Sequence, residues 1–169
     1  MNYQRITYPD LENGEGVRVT LWVSGCSHHC VGCHNPETWD VHSGYKFTTE
    51  KFEELLEVLG KDYIDGLTLS GGDPLLFWNL LPVKYICKEA KKRYPHKTIW
   101  LYTGYTYEWL VARGMFRDVL EYVDVLVDGE FVKEERDLTL PFRGSRNQRI
   151  ILVQESLKSG EVKLWSEKD

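Results

Sequence analysis

Val17-Arg18-Val19-Thr20-Leu21-Trp22-Val23 runs directly into Ser24-Gly25-Cys26-Ser27-His28-His29-Cys30-Val31-Gly32-Cys33-His34-Asn35-Pro36. The first half is β-branched and aromatic and reads as a strand. The second half spaces its cysteines as Cys-x3-Cys-x2-Cys. Thiolates are soft ligands that suit iron–sulfur clusters and zinc. A [4Fe–4S] cluster ordinarily takes four cysteines. Three close ones, Cys26, Cys30 and Cys33, would fix three irons and leave the fourth open, and an open metal position is where chemistry happens. Two other readings fit the same residue types. One is a structural zinc site with His28, His29 or His34 as fourth ligand; the other is a disulfide plus a free thiol. Structural zinc sites usually join two ligand pairs from separate segments, and the sequence offers no second pair. The fourth cysteine, Cys87, lies in Val83-Lys84-Tyr85-Ile86-Cys87-Lys88-Glu89-Ala90. That stretch reads as helix and Cys87 as a small buried hydrophobe.

Outward from this stretch, strands and helices alternate. Thr48-Thr49-Glu50-Lys51 is a helix start, Phe52, Leu55, Leu56 and Leu59 recur at helical spacing, and Gly60 suits the end. Gly66 to Ser70 is a short strand running into Gly71-Gly72-Asp73-Pro74. A helix is predicted from Leu80 to Tyr94, with Pro82 in its first turn. Thr98 to Tyr102 is a strand followed by Thr103-Gly104. Tyr107 to Tyr122 reads as two short helices interrupted at Gly114. Val123 to Val127 is a strand ending in Asp128-Gly129. Residues 130–148 read as polar loop, 149–153 as a β-like stretch and 161–165 as one further short strand. This alternation predicts βαβ units and a parallel sheet. Ligands of such folds sit at the carboxyl ends of the strands, and Cys26, Gly71, Thr103 and Asp128 each follow a strand. With 169 residues the chain is too short for a full eight-fold barrel of about 250 residues. The expected fold is a single α/β domain over residues 1–169, built as a partial, open (β/α) barrel.

Apolar residues make up 42% and charged residues 28%, a globular composition. The net charge of −5 comes from 21 basic and 26 acidic residues. Without a basic excess or block, nucleic acid is not the expected partner. No apolar run approaches the ~20 residues that span a membrane, and Met1 to Arg5 has no signal-peptide core, so a cytoplasmic protein is expected. In a reducing compartment, clustered cysteines more often hold metal than pair as disulfides.

Gly71-Gly72-Asp73-Pro74 taken alone is a turn. Its functional reading is that the glycines let the backbone approach a ligand, while exposed carbonyls and the Asp73 carboxylate accept hydrogen bonds from a ligand amino group. Thr103-Gly104 and Asp128-Gly129 are ordinary turn pairs singly. With the cysteine loop they form a ring of ligand contacts. Arg136, Arg143, Arg146 and Arg149 are offset by Glu130, Glu134, Glu135 and Asp137. This stretch reads as a solvated loop, or more sharply as a docking surface or a contact from Arg143 or the Ser145 region to a ligand carboxylate.

The cysteine loop followed at the next strand end by Gly-Gly-Asp-Pro resembles the radical S-adenosylmethionine (SAM) superfamily. Within it the chain is most similar to the activating enzymes of anaerobic ribonucleoside-triphosphate reductase. The likeness is carried by Asn13-Gly14-Glu15-Gly16 with Arg18, Ser24 to Asn35, Thr38-Trp39, Leu69 to Leu75, Trp100 with Thr103-Gly104-Tyr105, Val127-Asp128-Gly129, and Arg143-Gly144-Ser145 with Asn147-Gln148. It runs from about residue 2 to residue 150, leaving 151–169 as a C-terminal extension of unknown role. Two positions depart from the superfamily. Gly32 replaces the usual aromatic residue before the third cysteine, as the reductase activases also have it, and His34 replaces the ring residue, often Tyr, that follows.

The resemblance implies a partial barrel of the radical-SAM type with Cys26, Cys30 and Cys33 on three irons. The amino and carboxylate groups of SAM would chelate the fourth. Gly71, Gly72 and Asp73 would orient the amino group, the backbone from Gly32 through Cys33 to His34 would face the adenine, and Thr103 and Asp128 would add contacts. An external donor such as reduced flavodoxin would supply the electron that breaks a carbon–sulfur bond of SAM. The resulting 5′-deoxyadenosyl radical would leave a glycyl radical on the large reductase subunit. A short, open barrel would admit a loop of that partner. The alternatives are an activase for another glycyl-radical enzyme, such as pyruvate formate-lyase, and, in a different class, a zinc-binding structural or adaptor module.

Overall fold

Alternation along the strands sorts their side chains onto two chemically different faces. The computed structural model, which describes residues 1–167, contains strands β1 (Asn2–Asp10), β2 (Arg18–Val23), β3 (Tyr45–Lys46), β4 (Gly66–Gly71), β5 (Thr98–Tyr102), β6 (Val125–Asp128) and β7 (Arg149–Leu152). They form one open mixed sheet in the order β3-β1-β2-β4-β5-β6-β7. The strands β2, β4, β5 and β6 are parallel, and β1, β3 and β7 run antiparallel to their neighbours. The parallel centre is the part legible as βαβ units; the two antiparallel flanks extend it. Leu21, Leu69, Leu101, Leu126 and Ile151 stand in register across five strands. All five are fully buried in one core with the helices α1 (Thr49–Leu59), α2 (Phe77–Arg93), α3 (Tyr107–Val111), α4 (Gly114–Leu120) and α5 (Val153–Ser159). The opposite face carries Arg18, Thr20, Trp22, Thr68, Ser70, Trp100 and Tyr102. This polar, aromatic face is where a ligand has room.

Helix α1 starts as its sequence suggests: the Thr48 hydroxyl accepts from the Lys51 amide, satisfying one of the free N–H groups of the first turn. Helix α2 begins at Phe77, three residues before the predicted start, so Pro82 sits in the second turn rather than the first. The cause is Asn79, whose buried amide donates to the carbonyls of Ser24 (2.9 Å) and Asp73 (3.1 Å). That anchors the first turn to two strand ends and holds the helix despite the hydrogen bond its proline removes. The interruption near Gly114 is real, but Gly114 itself opens α4. Only an isolated bridge from Ile151 to Leu164 represents the strand expected at 161–165.

The amino ends of the parallel strands are tied together by one buried guanidinium. Arg18 is fully buried, and its N–H groups donate to Thr68 Oγ1 (2.7 Å), the Glu15 carbonyl (2.8 Å), Thr98 Oγ1 (3.0 Å) and the Leu67 and Thr98 carbonyls (both 2.8 Å). Burial pushes its pKa down to about 10, which still leaves it charged at neutral pH. Gly66 and Gly14 flank it because a Cβ at either would strike the arginine side chain. With this end of the sheet sealed, the carboxyl ends of β2, β4, β5 and β6 are left to build a site.

Candidate functional site

The strand ends are fastened to one another before any side chain contributes. The Gly72 amide donates to the Val23 carbonyl (2.8 Å), Asp73 to Gly25 (2.7 Å), Thr103 to Val127 (3.0 Å) and Gly129 to Tyr105 (3.1 Å). The glycine pair makes this closeness possible. A Cβ on Gly71 would come within 2.6 Å of the Val23 amide nitrogen and carbonyl oxygen, and one on Gly72 would strike the Gly25 carbonyl. Gly71 also holds φ +105°, where a side chain is strained. Packing against β2 and the start of the cysteine loop is therefore sufficient reason for both glycines.

Asp73, only 1% exposed, is the hub. Its Oδ1 accepts from the Leu75 amide (2.9 Å) and its Oδ2 from the Gly104 amide (3.0 Å), while the Thr103 hydroxyl lies 2.9 and 3.0 Å from the two oxygens. The fourth partner is His28, whose Nε2 is 2.7 Å from Oδ2. The other ring nitrogen of His28 is 2.8 Å from Glu130 Oε1. The hydrogen bond to Asp73 raises the His28 pKa against the opposing effect of burial, and Glu130 adds to the rise. The ring meets Tyr105 edge-on at 4.6 Å and lies so close to Gly104 that a Cβ there would come within 2.6 Å of it. One imidazole thus joins the cysteine loop to the ends of β4, β5 and β6. From sequence His28 reads only as a candidate zinc ligand; its partners are 45 and 102 residues away, and no local pattern marks them.

The three loop cysteines are free thiols and partly exposed. Burial pushes the Cys26 thiol up to about 11. Burial, followed by the charge of Glu130, also raises Cys30. Ligation by a metal displaces these protons. The Cys26 amide donates to the Trp39 carbonyl (3.1 Å), the Cys33 amide to Cys30 (3.1 Å), and the Asn35 amide points at Cys33 Sγ (3.4 Å). Between the cysteines, His29 holds φ +49° and stacks on Trp39 at 4.4 Å. His34 stands edge-on to Phe131 at 5.3 Å, and Gly32 has φ +78°. Cys87 is fully buried in the core, and burial pushes its thiol up to about 12. Among the described residues, no three His, Cys, Asp or Glu side chains form a set around a single metal ion.

Two cavities flank the loop. One, of about 600 Å³, opens on the polar face of the sheet and is lined by Cys30, Cys33, His34, Asn35, Ser70, Tyr102, Phe131, Arg143 and others. The second, of about 700 Å³, lies beyond His28 and is lined by Ser27, His28, Tyr105, Trp109, Asp128 and Arg149 among others. Asp128 is 1% exposed. It accepts from the Tyr107 amide (2.8 Å) and from Arg149 at 3.1 and 2.6 Å, and Arg149 also pairs with Glu108 (2.6 Å). Cys26, Cys30, Cys33, Gly32, His34, Gly71, Gly72, Asp73, Thr103 and Asp128 therefore all lie at the carboxyl edge of the sheet. The carboxylates of Asp73 and Asp128 are largely engaged by protein donors.

The donor chemistry suits an iron–sulfur cluster: three accessible soft ligands on one loop, beside a cavity large enough for a small-molecule ligand. Comparison with known proteins points the same way. Residues 12–151 match the family described as a 4Fe-4S single cluster domain. The chain is 45% identical over 150 residues to the anaerobic ribonucleoside-triphosphate reductase-activating protein of Enterobacteria phage T4, covering 89% of this chain and 93% of that one. The proteins of the same name from Vibrio cholerae and Escherichia coli K12 are 44% and 41% identical over 152 and 150 residues. These alignments cover 89% and 88% of this chain and 97% and 96% of theirs.

Proposed function

Because this chain belongs to the 4Fe-4S single cluster domain family and to the anaerobic ribonucleoside-triphosphate reductase-activating proteins, we propose that it plants a glycyl radical on the large subunit of such a reductase. Cys26, Cys30 and Cys33 would hold the [4Fe–4S] cluster, and SAM would lie against Gly32 to His34, Gly71 to Asp73, Thr103 and Asp128. When bound, cluster and SAM together supply a 5′-deoxyadenosyl radical, made by reductive cleavage, that takes a hydrogen from a glycine of the reductase. The protein's own contribution is orientation and exclusion of water. The Asp73–His28–Glu130 chain fixes the cysteine loop over the strand ends. Trp22, Tyr102, Phe131 and Phe142 contribute an aromatic part to the wall of the cavity beside Cys30 and Cys33. We read the open sheet as the partial (β/α) barrel of the radical-SAM type, its open side admitting a polypeptide loop. The electron donor is a reduced flavodoxin or similar protein, and the setting is the cytoplasm, where the thiols stay reduced. No helix among the described residues is long and apolar enough to cross a membrane.

The observation that carries this reading is the placement of all three cysteines in the loop after β2, beside the ends of the neighbouring parallel strands, in a chain with such relatives over most of its length. The test is anaerobic reconstitution followed by incubation with a reductant, SAM and the reductase subunit. A glycyl-radical signal on the reductase, with methionine released, is expected. A signal on pyruvate formate-lyase and none on the reductase would replace this reading with another activase, and no SAM cleavage at all would sink it.

A further inference from the structure

The cavity beside Cys30 and Cys33 is lined by two arginines and one carboxylate, Glu12, which pairs with neither among the described residues. Arg143 lines it from the loop after β6, and Arg5 lines it from β1. Among the described residues neither guanidinium has a carboxylate within ion-pair distance, although acidic residues outnumber basic ones 26 to 21. Arg143 Nε is buried and without a hydrogen-bond partner, which is unfavourable for any donor and more so for a charged one.

The loop that presents this arginine is rigid for its length. The side chain of Gln148 accepts from the amides of Gly144 (2.9 Å) and Ser145 (3.1 Å) and donates to the Gly129 carbonyl (3.0 Å). Arg143 Nη1 donates to the Gln148 carbonyl (2.8 Å), leaving the rest of the fork uncommitted. The residue before it, Phe142, holds φ +58°, a conformation in which non-glycine residues are strained and which collects at ligand clamps. The strain is held in place by the Tyr102 hydroxyl, which donates to the Phe142 carbonyl (2.7 Å), and by the Phe142 ring edge-on to Trp100 at 5.3 Å. Arg143 stands in the wall between this cavity and a smaller one that Glu167 also lines; a strained, cross-braced turn that holds a fork with a missing partner at a cavity wall is suited to an anion, and the planar guanidinium fits a carboxylate two-pronged.

We propose that Arg143, with Arg5 adding positive charge to the same cavity, binds a carboxylate of the molecule that occupies it. This rests on the proposed function only in taking the cavity as the reaction site. Two sources share that chemistry: the methionine end of SAM, and an acidic side chain or chain terminus of the reductase segment entering the site.

The experiment uses cluster-loaded protein under anaerobic conditions, in its wild-type, Arg143→Gln and Arg143→Lys forms. Equilibrium dialysis measures the affinity for SAM and for decarboxylated SAM; interferometry measures the affinity for the reductase subunit. Arg143→Gln is expected to load iron normally and to lose about 10-fold or more in one of these affinities. Loss for SAM but not for its decarboxylated analogue assigns the methionine carboxylate. Loss for the reductase alone assigns the partner. Arg143→Lys, which keeps the charge without the fork, is expected to fall between. Unchanged affinities in both variants, equal losses for the two SAM probes with no change for the reductase, or failure of both variants to load iron would overturn the proposal, the last by showing that the arginine only closes its loop. Wild-type protein that bound neither SAM nor the reductase would instead refute the proposed function.

Discussion

Changing Asp73 to Asn removes one charge and replaces one oxygen with an NH2 group, and the surroundings of that carboxylate make the outcome calculable. If the amide oxygen takes the place of Oδ1, the Leu75 amide and the Thr103 hydroxyl keep their acceptor. The NH2 group then faces the Gly104 amide at 3.0 Å, donor against donor. His28 can adapt by presenting an unprotonated Nε2 while its other nitrogen donates to Glu130; the Gly104 amide cannot. Flipping the amide only transfers the conflict to Leu75. Either way one backbone N–H, buried at Leu75 and part-buried at Gly104, loses its partner, at about 2 kcal/mol. For a chain of this size that corresponds to a fall in Tm of about 4–8 °C. Asp73→Ala removes every acceptor and should cost about 3–5 kcal/mol. Thermal unfolding of the cluster-loaded variants, followed by circular dichroism under anaerobic conditions, gives the comparison. Iron content should be normal in Asp73→Asn, since the cysteines are untouched. An Asn variant that melts with wild type would refute the argument that this carboxylate ties the strand ends together.

Three further changes probe other parts of the structure. Arg18→Met should lower stability by about 3–5 kcal/mol, because the carbonyls of Leu67, Thr98 and Glu15 lose a charged donor that no nearby group replaces; an unchanged melting curve would show that water or a shift of the strands replaces it. Gly104→Ala must push the His28 ring away from Asp73 and Glu130. It should cost about 1–3 kcal/mol and slow cluster loading, read as the rise of visible absorbance during reconstitution. Cys87→Ala should leave iron content at the wild-type level, since the thiol is sealed in the core, and should lower Tm only modestly; loss of iron would make Cys87 a ligand and overturn its assignment as packing.

The parallel centre of the sheet could be read from sequence because its strands are apolar on the covered face, and β2, β5 and β6 add β-branched or aromatic residues. Strand β1 could not, because it buries only Tyr3 and Asp10 along its length, so no hydrophobic alternation marks it. Helix α5 was missed for a related reason: of its seven residues only Val153 and Ser156 are buried. Its one clear signal was Gly160, which ends the helix in the left-handed conformation. At the site, the cysteine spacing marks a candidate metal-binding loop, with cluster and zinc readings both open on spacing alone. The reason for the glycine pair is not legible: sequence suggested closeness to a ligand, whereas the structure shows closeness to Val23 and Gly25 as well. Asp73 looked like a free acceptor waiting for an amino group, and it already holds protein donors on both oxygens. A ligand amino group that reaches it must compete with His28, a relation between loops far apart in sequence that local pattern does not encode.

In the proposed function Cys26, Cys30 and Cys33 together hold the cluster that cleaves SAM. The most direct measurement is iron and sulfide content, with SAM cleavage under reductant, for each single Cys→Ala variant after anaerobic reconstitution. Loss of stable [4Fe–4S] loading and of cleavage is expected in all three variants, with Cys87→Ala behaving as wild type. A variant at Cys26, Cys30 or Cys33 that retained both full iron content and cleavage would contradict it.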